Sequence, residues 1–318
     1  MLDAQRPAAI FGNGFGDCLI TLPALRALAA IFPNRLALIC PPDLGRLFFL
    51  DLPLRALYGC EMPQAAAGRT FDADAVAERL GACDLLLSPL PWHSADVERL
   101  LARLSPAHSV GFFPPYHVTL PHYHGRHAAD AAFDIPLYLN PRLRLEDFAA
   151  PPVFPAWARQ SARQMRSLVP PAARVMVVHA DTKREKMWPP DRLVQTLDLF
   201  LERHPDFVVF ALGAEDLGLA GGRCGRRVIP LYELPLAVAM AFTGEADLFL
   251  GVDSCMLHAA DLFRVPGVGL YGPTNYTVWG FRFGPHRHIR NGDSLEAINV
   301  EEVLEALESL LRGAVFQN

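Results

Sequence analysis

Apolar and polar positions in the first half of the chain alternate between short strand-like runs and longer helix-like stretches. Residues 8–11 form an apolar run that leads into the segment GNGFGD, and the sequence LITLPALRALAAIF that follows has apolar residues at helical spacing. Short apolar runs then occur at RLALIC, CDLLLS and SVGFF, each bounded by proline, glycine or aspartate. This alternation predicts βα units and a parallel sheet.

The same pattern begins again at Trp157. It predicts an amphipathic helix to about Leu168 and, further on, the strands RVMVVHA, FVVFALG, RVIPLY, DLFLGV and GVGLYG. Helices are predicted over 190–203, over 235–243, at SCMLHAADLF and, with an acidic face, over about 300–312. Residues 114–155 are rich in proline, histidine and tyrosine and predict loops, a short helix and a linker. The chain is therefore divided into two α/β domains, 1–155 and 156–318.

Composition narrows the class of protein. With 318 residues, 51% hydrophobic and 20% charged, the chain can bury a large core and is not disordered. The net charge of −5 and the absence of a run of basic and aromatic residues argue against nucleic acid as a partner. Six scattered cysteines without CxxC, and no signal peptide, indicate a reducing cytoplasm. No apolar run is long enough to span a bilayer, which leaves peripheral membrane association open.

The segment GNGFGD places Gly12, Gly14 and Gly16 between a strand and a helix. A dinucleotide fingerprint has glycine at the sixth position, where this chain has Asp17. A carboxylate at a helix N-terminus is also unfavourable for a pyrophosphate. The motif by itself therefore weakens an NAD-binding interpretation and leaves Asp17 as a helix cap.

The segment HADTKREKMWPPDRL follows one strand and precedes one helix, so its loop is predicted at the carboxyl end of a sheet, where open α/β sheets bind ligands. Thr182, Lys183, Arg184 and Lys186 in this loop have the charge and hydroxyl donors that bind a diphosphate. The alternative is a solvated polar loop. Trp188 and the two prolines after it favour a loop held in one shape.

The segments GVDSCMLHAADLF and GVGLYGPTN supply a second set of candidates. Asp253 or Ser254 is predicted to cap a helix whose N-terminus is an anion site, and His258 lies on its second turn. The alternatives are a purely capping Asp253 and a core histidine. Residues 272–274 form a tight loop after the next strand and can join the same site.

Together these segments resemble a known family. The GD turn followed by TLPALRAL, the loop with K-x-W-P, and GVDS…H…P…LYGPT are similar to glycosyltransferase family 9, the ADP-heptose:lipopolysaccharide heptosyltransferases. The resemblance implies the GT-B fold, in which two Rossmann-like domains face a cleft and the last helix packs back on the first domain. It also implies a bacterial, cytoplasmic enzyme of lipopolysaccharide biosynthesis that is inverting and metal-independent.

The resemblance assigns roles to individual residues. Asp17 matches the catalytic base and Lys186 matches the lysine that stabilises the donor phosphates, while Glu215 matches a glutamate that holds the donor ribose. The other expected donor-binding residues are Thr182, Lys183, Asp253, Ser254, His258, Gly272, Pro273 and Thr274. The chain departs from the family at Asp253, Ser254 and Cys255, where the family usually reads DTG, and at Asp181, where a second threonine is common. These departures leave the donor sugar and its base open.

Two further patterns suggest metal sites. Asp72 and Asp74 have the DxD spacing of metal-dependent glycosyltransferases, but they precede a helical segment, so Asp72 or Asp74 is predicted to be its cap. Four histidines occur at irregular spacing in a proline-rich loop, which is unlike a metal motif. They are His117, His122, His124 and His127. The last three, with Gly14 and Gly16, are predicted to line the acceptor side of the cleft, and no metal is expected.

The predicted activity is inverting transfer of a heptose-like sugar from a nucleotide-diphosphate donor, with ADP-heptose as the first candidate. The acceptor is a hydroxyl of a glycan, a lipid-linked molecule or a small molecule, and no cofactor beyond the sugar nucleotide is expected. Two alternatives remain: an NAD-dependent oxidoreductase, and a non-catalytic sugar-nucleotide-binding protein of the same fold.

Overall fold

The computed structural model describes residues 3–65, 68–122 and 125–315. The chain divides into two compact units between Val153 and Phe154. The sequence pattern places the boundary at 155/156, in the same proline-rich stretch.

The first unit has eight strands in its described residues. They are β1 (Pro7–Ile10), β2 (Ala37–Cys40), β3 (Ala56–Gly59), β4 (Gln64–Ala65), β5 (Gly68–Arg69), β6 (Leu85–Leu87), β7 (His108–Gly111) and β8 (Val118–Thr119). Six of them form a parallel sheet in the order β3-β2-β1-β6-β7-β8, and β4 and β5 form a separate antiparallel pair. Counted within the sheet, this is the 3-2-1-4-5-6 order of the Rossmann fold.

Helices cover the sheet of the first unit. They are α1 (Phe15–Ile31), α2 (Pro42–Phe48), α3 (Ala73–Leu80), α4 (Ala95–Leu104) and α5 (Ala128–Leu139). Helix α1 is apolar around most of its circumference because it is buried on several sides, and it packs against α5. The predicted short helix in 114–155 is therefore a 12-residue, largely buried element.

The second unit repeats the arrangement, with all six strands parallel in the order β11-β10-β9-β12-β13-β14. Its strands are β9 (Arg174–His179), β10 (Phe207–Gly213), β11 (Val228–Tyr232), β12 (Leu248–Val252), β13 (Gly267–Leu270) and β14 (His286–Ile289). Its helices are α6 (Ala156–Arg166), α7 (Pro190–Arg203), α8 (Leu236–Thr243), α9 (Cys255–Leu262), α10 (Tyr276–Trp279) and α11 (Val300–Val315). The predicted α/β class with two Rossmann-like sheets is confirmed.

The last helix, α11, contributes its apolar side chains to the core of the second unit. Val303 and Leu307 are fully buried there in one cluster with Leu193 and Leu197 of α7. This buried face accounts for the apolar positions of α11 at helical spacing. That α11 also packs back on the first domain stays a prediction. None of the helices in the described ranges combines the length and hydropathy that crossing a bilayer takes.

Candidate functional site

The candidate site lies where the strand order of the second sheet reverses. Strands β9 and β12 are neighbours in the sheet, yet the chain continues from them to opposite sides. Open α/β sheets bind ligands at the carboxyl ends of such a strand pair. The loop with both lysines of the chain follows β9, and the Asp253 segment follows β12, so the two candidate motifs come together at one edge.

Lys186, Asp253 and Thr274 form the centre of this site. The Nζ of Lys186 donates to Oδ2 of Asp253 at 2.5 Å, and the Oγ1 of Thr274 donates to the same oxygen at 2.7 Å. The side chains of Lys186 and Asp253 are 29% and 11% exposed. The carboxylate of Asp253 therefore joins three loops, those after β9, β12 and β13. It also holds the partly buried ammonium group of Lys186 in place.

The electrostatics of Asp253 follow from these contacts. Burial by itself raises the pKa of this carboxyl group, but the attraction of His258 and the hydrogen bonds from Lys186 and Thr274 outweigh it. The pKa of Asp253 is consequently lowered below its ordinary value, so the carboxylate stays ionised. His258 is buried on α9.

Ser254, not Asp253, is the N-cap residue of α9, which decides between the two capping candidates. Its side chain makes no capping hydrogen bond with the helix. Instead, its Oγ is hydrogen-bonded to Nδ1 of His179 at 3.1 Å. Burial lowers the pKa of His179 to about 4, although the charge of Asp181 opposes this, so the ring is neutral at physiological pH. At the start of α9, the hydroxyl group of Ser254 is therefore hydrogen-bonded to the neutral imidazole of His179.

The loop after β13 is shaped by close packing. A Cβ at Gly272 would lie 2.5 Å from Cδ1 of Leu295, so a larger residue would displace the loop. The carbonyl of Gly272 also accepts a hydrogen bond of 2.8 Å from Nε of Arg290. Pro273 is exposed and Thr274 is half-buried. The loop thereby positions the Thr274 hydroxyl against Asp253.

Asp181 has a structural role that the sequence analysis missed. Its Oδ2 accepts hydrogen bonds from the backbone N–H groups of Ala214 at 2.6 Å and Glu215 at 3.2 Å. It therefore ties the end of β9 to the loop after β10, the loop that presents the exposed Glu215. The sequence feature that could have indicated this role is a carboxylate shortly after a parallel strand at the switch point.

A cavity of about 230 Å³ lies next to His179 and Asp181, at the carboxyl ends of β9, β10 and β11. Its walls are mostly aliphatic, with polar groups at a few positions. They are formed by His179, Asp181, Leu212, Gly213, Ala214, Leu231, Glu233, Leu234, Leu236, Ala239, Cys255 and Met256. An apolar slot with few polar groups beside an anion-binding helix terminus suits a flat heterocycle.

The other loop residues of the donor prediction differ in exposure. Thr182 is half-buried, whereas Lys183 is exposed and precedes the 3-10 turn Arg184–Lys186. The turn is followed by the fully buried Trp188, whose Nε1 donates to the carbonyl of Ile298 at 3.2 Å. The loop is therefore anchored at its end, as the Trp-Pro-Pro sequence predicts.

Asp17 occupies the first turn of α1. The N-cap residue is Gly14, and Asp17 is the third helical residue, whose Oδ2 accepts a hydrogen bond of 3.3 Å from the Gly14 N–H. This corrects the simple capping interpretation: the carboxylate closes back on the cap instead of being the cap. Gly16 belongs to the helix and not to the loop. A Cβ at Gly12 would lie 3.0 Å from Sδ of Met62 and 3.1 Å from the ring of Trp92, so a larger residue would have to push these side chains aside.

The acceptor-side histidines of the first unit have separate surroundings. The ring of His122 lies 5.1 Å from that of Phe113. His127 is the N-cap of α5, and its Nδ1 accepts a hydrogen bond of 3.1 Å from the Ala129 N–H. Nδ1 of His117 is hydrogen-bonded to Oγ of Ser109 at 3.0 Å. His124 lies outside the described residues.

The two aspartates with DxD spacing lie at the start of helix α3. Asp72 is the N-cap of α3, since its Oδ1 accepts from the Ala75 N–H at 2.9 Å, and Asp74 pairs with Arg103 at 2.8 Å. The prediction that Asp72 or Asp74 caps this helix is confirmed, and the cap is Asp72. Across residues 3–65, 68–122 and 125–315 there is no group of three or more His, Cys, Asp or Glu side chains arranged to hold a metal ion.

Comparison with known proteins identifies the family. Residues 145–301 match the model of glycosyltransferase family 9 (heptosyltransferase). Through this region the chain belongs to glycosyltransferase family 9. The family 9 segment contains the whole Lys186, Asp253 and Thr274 cluster, and the resemblance noted in the sequence is confirmed. The chain is a glycosyltransferase of the heptosyltransferase family.

Solved structures extend the likeness of this family 9 chain to nearly its whole length. A family 9 glycosyltransferase from Veillonella parvula matches with a TM-score of 0.78 at 17% identity, over 97% of each chain. E. coli heptosyltransferase WaaC with ADP matches with a TM-score of 0.68 at 17% identity, over 96% of this chain and 99% of the other. E. coli ADP-heptose lps heptosyltransferase II matches with a TM-score of 0.69 at 16% identity, over 98% and 99%. The GT-B fold is thereby confirmed.

The search of curated protein sequences found no match to the chain.

Proposed function

We propose that this family 9 glycosyltransferase moves a heptose-like sugar from an ADP-linked donor to an acceptor hydroxyl, with inversion and without a metal. The observation that carries the proposal is the Lys186, Asp253 and Thr274 cluster at the switch point of the second sheet. It places a fixed ammonium group beside the N-terminal turn of α9. Both favour a diphosphate, because helix N-termini and fixed cations stabilise anions.

Each part of the donor can be assigned to residues of the second unit. We assign its diphosphate to Lys186, the hydroxyls of Thr182 and Thr274, and the start of α9. The base takes the cavity of about 230 Å³, and Glu215 binds the ribose. Lys183 is exposed at the rim of the same loop. The WaaC structures with ADP and with ADP-2-deoxy-2-fluoro heptose show that a protein of this fold binds such donors.

The reaction is one displacement. The acceptor oxygen forms a bond to the anomeric carbon while the bond from that carbon to the diphosphate oxygen breaks, and the diphosphate leaves with the electron pair. Asp17 takes the proton of the acceptor hydroxyl as general base. Lys186 and the N–H groups of α9 stabilise the negative charge that develops on the leaving diphosphate.

The acceptor is assigned to the first unit, which contains Asp17, Gly14, Gly16, His122 and His127. Within the described residues, His122 beside Phe113 provides a ring surface of the kind that sugars stack on, whereas Nδ1 of His127 is already engaged by α5. We propose a glycan or lipid-linked acceptor of lipopolysaccharide biosynthesis, by analogy with heptosyltransferase II.

Nucleotide binding tests the donor assignment directly. A ligand at 100 times its Kd stabilises the folded state by about 2.7 kcal/mol, and a weaker ligand at the same concentration stabilises it less. We therefore expect ADP to raise the melting temperature of the protein more than GDP, UDP or NAD at the same concentration. The Lys186→Ala variant should lose most of this shift. A shift with NAD alone would favour the oxidoreductase alternative. A normal ADP shift without transfer to any acceptor would favour the non-catalytic one.

Metal removal gives a second test. EDTA is expected to leave the transfer rate unchanged, because Lys186 and the start of α9 supply the positive charge that a metal ion supplies in other transferases. The measurement is the initial rate before and after chelation, with Mg²⁺ and Mn²⁺ added back. Activity that EDTA abolishes and a metal ion restores would contradict the metal-independent mechanism.

The Asp181 contact predicts a donor-binding effect. Asp181→Ala is expected to raise the KM for the donor about tenfold with little change in kcat, because the loop of Glu215 loses two backbone hydrogen bonds to a charged acceptor. Asp181→Asn is the control, since its amide oxygen still accepts these bonds and should largely preserve KM. Equal KM values for the alanine variant and the wild-type enzyme would refute this role.

A further inference from the structure

The turn after strand β11 contains a glutamate in an uncommon backbone conformation. Glu233 directly follows β11 and has a φ of +56°, in the left-handed region that glycine adopts without a steric penalty. Its N–H donates to the carbonyl of Gly213 at 3.0 Å, which fixes the turn against the end of β10. Left-handed backbone at a residue other than glycine is strained, and such strain is concentrated at sites that bind ligands.

Glu233 also lies at the mouth of a cavity. It belongs to the walls of the cavity of about 230 Å³ that we assign to the donor base, and it is exposed to solvent. In the part of the chain that the structure describes, no hydrogen-bond donor and no cation contacts its carboxylate. A ligand in the cavity can therefore use both carboxylate oxygens.

The other polar side chains in the cavity walls are already engaged or neutral. Nδ1 of His179 is hydrogen-bonded to Ser254, and Oδ2 of Asp181 accepts from two backbone N–H groups. Burial raises the pKa of the Cys255 thiol to about 11, so this group stays uncharged. Among the side chains that line the cavity, the carboxylate of Glu233 is therefore the group best suited to accept a hydrogen bond from a ligand.

The loops that frame the cavity are tied to one another. The hydroxyl of Tyr232, the residue before Glu233, donates to Oδ1 of Asp216 at 2.8 Å, and the Gly218 N–H donates to the same oxygen at 2.7 Å. The end of β11 is thus joined to the loop after β10. A polar group on a fixed turn loses little conformational entropy on binding, so it can discriminate between ligands.

We propose that Glu233 selects the base of the donor by accepting a hydrogen bond from the exocyclic amine of adenine. This inference rests on the proposed ADP-linked donor and adds the residue that recognises its base. Adenine has an amine donor on its edge, whereas uracil presents a carbonyl oxygen at the corresponding position, which a carboxylate repels. The aliphatic walls contact the flat faces of the ring, which provides affinity for any base, and the carboxylate at the mouth provides the selection.

An acidic side chain at this position has one other physical role. Helix α8 begins at Leu236, and a carboxylate near a helix N-terminus stabilises the helix. Glu233→Gly separates this role from base recognition, because glycine adopts the left-handed φ without strain. We expect the glycine variant to keep or raise the melting temperature and to lose the selection of the base.

Calorimetric titration of the full chain tests the proposal. The two ligands are ADP and purine riboside 5′-diphosphate, which differs from ADP only in lacking the exocyclic amine. The wild-type protein should bind ADP at least about tenfold more tightly, the effect of one hydrogen bond to a charged group. Glu233→Ala and Glu233→Gly should bind the two ligands alike. Glu233→Gln should keep part of the preference, because its amide oxygen still accepts a hydrogen bond.

The matched control removes an exposed glutamate at the opposite end of the same helix. Glu245 follows α8, which ends at Thr243, and Glu245→Ala should keep the full preference for ADP. A preference for ADP that Glu233→Ala and Glu233→Gly retain in full would overturn the role of Glu233 and leave the proposed function intact. A wild-type protein that does not bind ADP would overturn both.

Discussion

Asparagine in place of Asp17 is expected to lower kcat by ~10²- to 10⁴-fold, the range that a positioned general base contributes, with donor affinity and melting temperature close to wild type. The amide oxygen of asparagine can still accept the hydrogen bond from the Gly14 N–H, so the first turn of α1 is preserved. The amide cannot take a proton from the acceptor hydroxyl. This one substitution therefore distinguishes the structural role of Asp17 from its catalytic role.

The measurements are kcat, donor Kd and the pH dependence of the rate. A base at this position gives a rate that rises with pH as the carboxyl group ionises, and the asparagine variant should lack this limb. Asp72→Asn makes the same chemical change at the N-cap of α3 and should leave kcat unchanged. If Asp17→Asn retains normal activity, the residue only closes the first turn of α1, and the base must be sought elsewhere in the first unit.

Replacing Lys186 by alanine is expected to lower kcat by ~10²-fold or more, the effect of losing one electrostatic donor to a developing negative charge. Nucleotide affinity should fall too, because the ammonium group contacts the donor diphosphate in both ground and transition states. The substitution also leaves Asp253 with one fewer partner, so the pKa of that carboxyl group should rise.

The controls for Lys186 come from the same turn. Lys186→Arg should not restore full activity, since a planar guanidinium does not occupy the place of a compact ammonium held 2.5 Å from a carboxylate. Glu185→Gln changes the charge of an exposed neighbour in the same 3-10 turn and should be nearly silent. An alanine variant with wild-type turnover would show that the phosphate assignment is wrong.

Continuous apolar runs mark the central strands that the sequence predicted. Strands β9, β10 and β12 contain such runs because a central parallel strand is covered by helices on both sides. Strand β11 was predicted as well, although it is only partly buried at the edge of the sheet. Strands β3, β8 and β14 escaped prediction. They are two to four residues long and only partly buried at or near a sheet edge, so no apolar run marks them.

The site could be located from the sequence because parallel strands end at one edge of their sheet. The loops after β9, β12 and β13 were therefore predicted to lie together, and the family resemblance supplied Lys186 and Asp253 as members. The local pattern could not show that these two side chains, 67 residues apart, share a hydrogen bond. That contact depends on the strand order, which places β9 beside β12.

The sequence by itself determined the α/β class, the two halves, and the position of each candidate loop between a strand and a helix, because hydrophobic periodicity and turn residues act locally. The tertiary structure alone decided that Ser254 is the cap of α9, that Asp181 holds the loop of Glu215, and that α11 packs in the second unit. Each of these outcomes is a choice among partners that the local sequence permits equally, and only the packing of distant segments selects one of them.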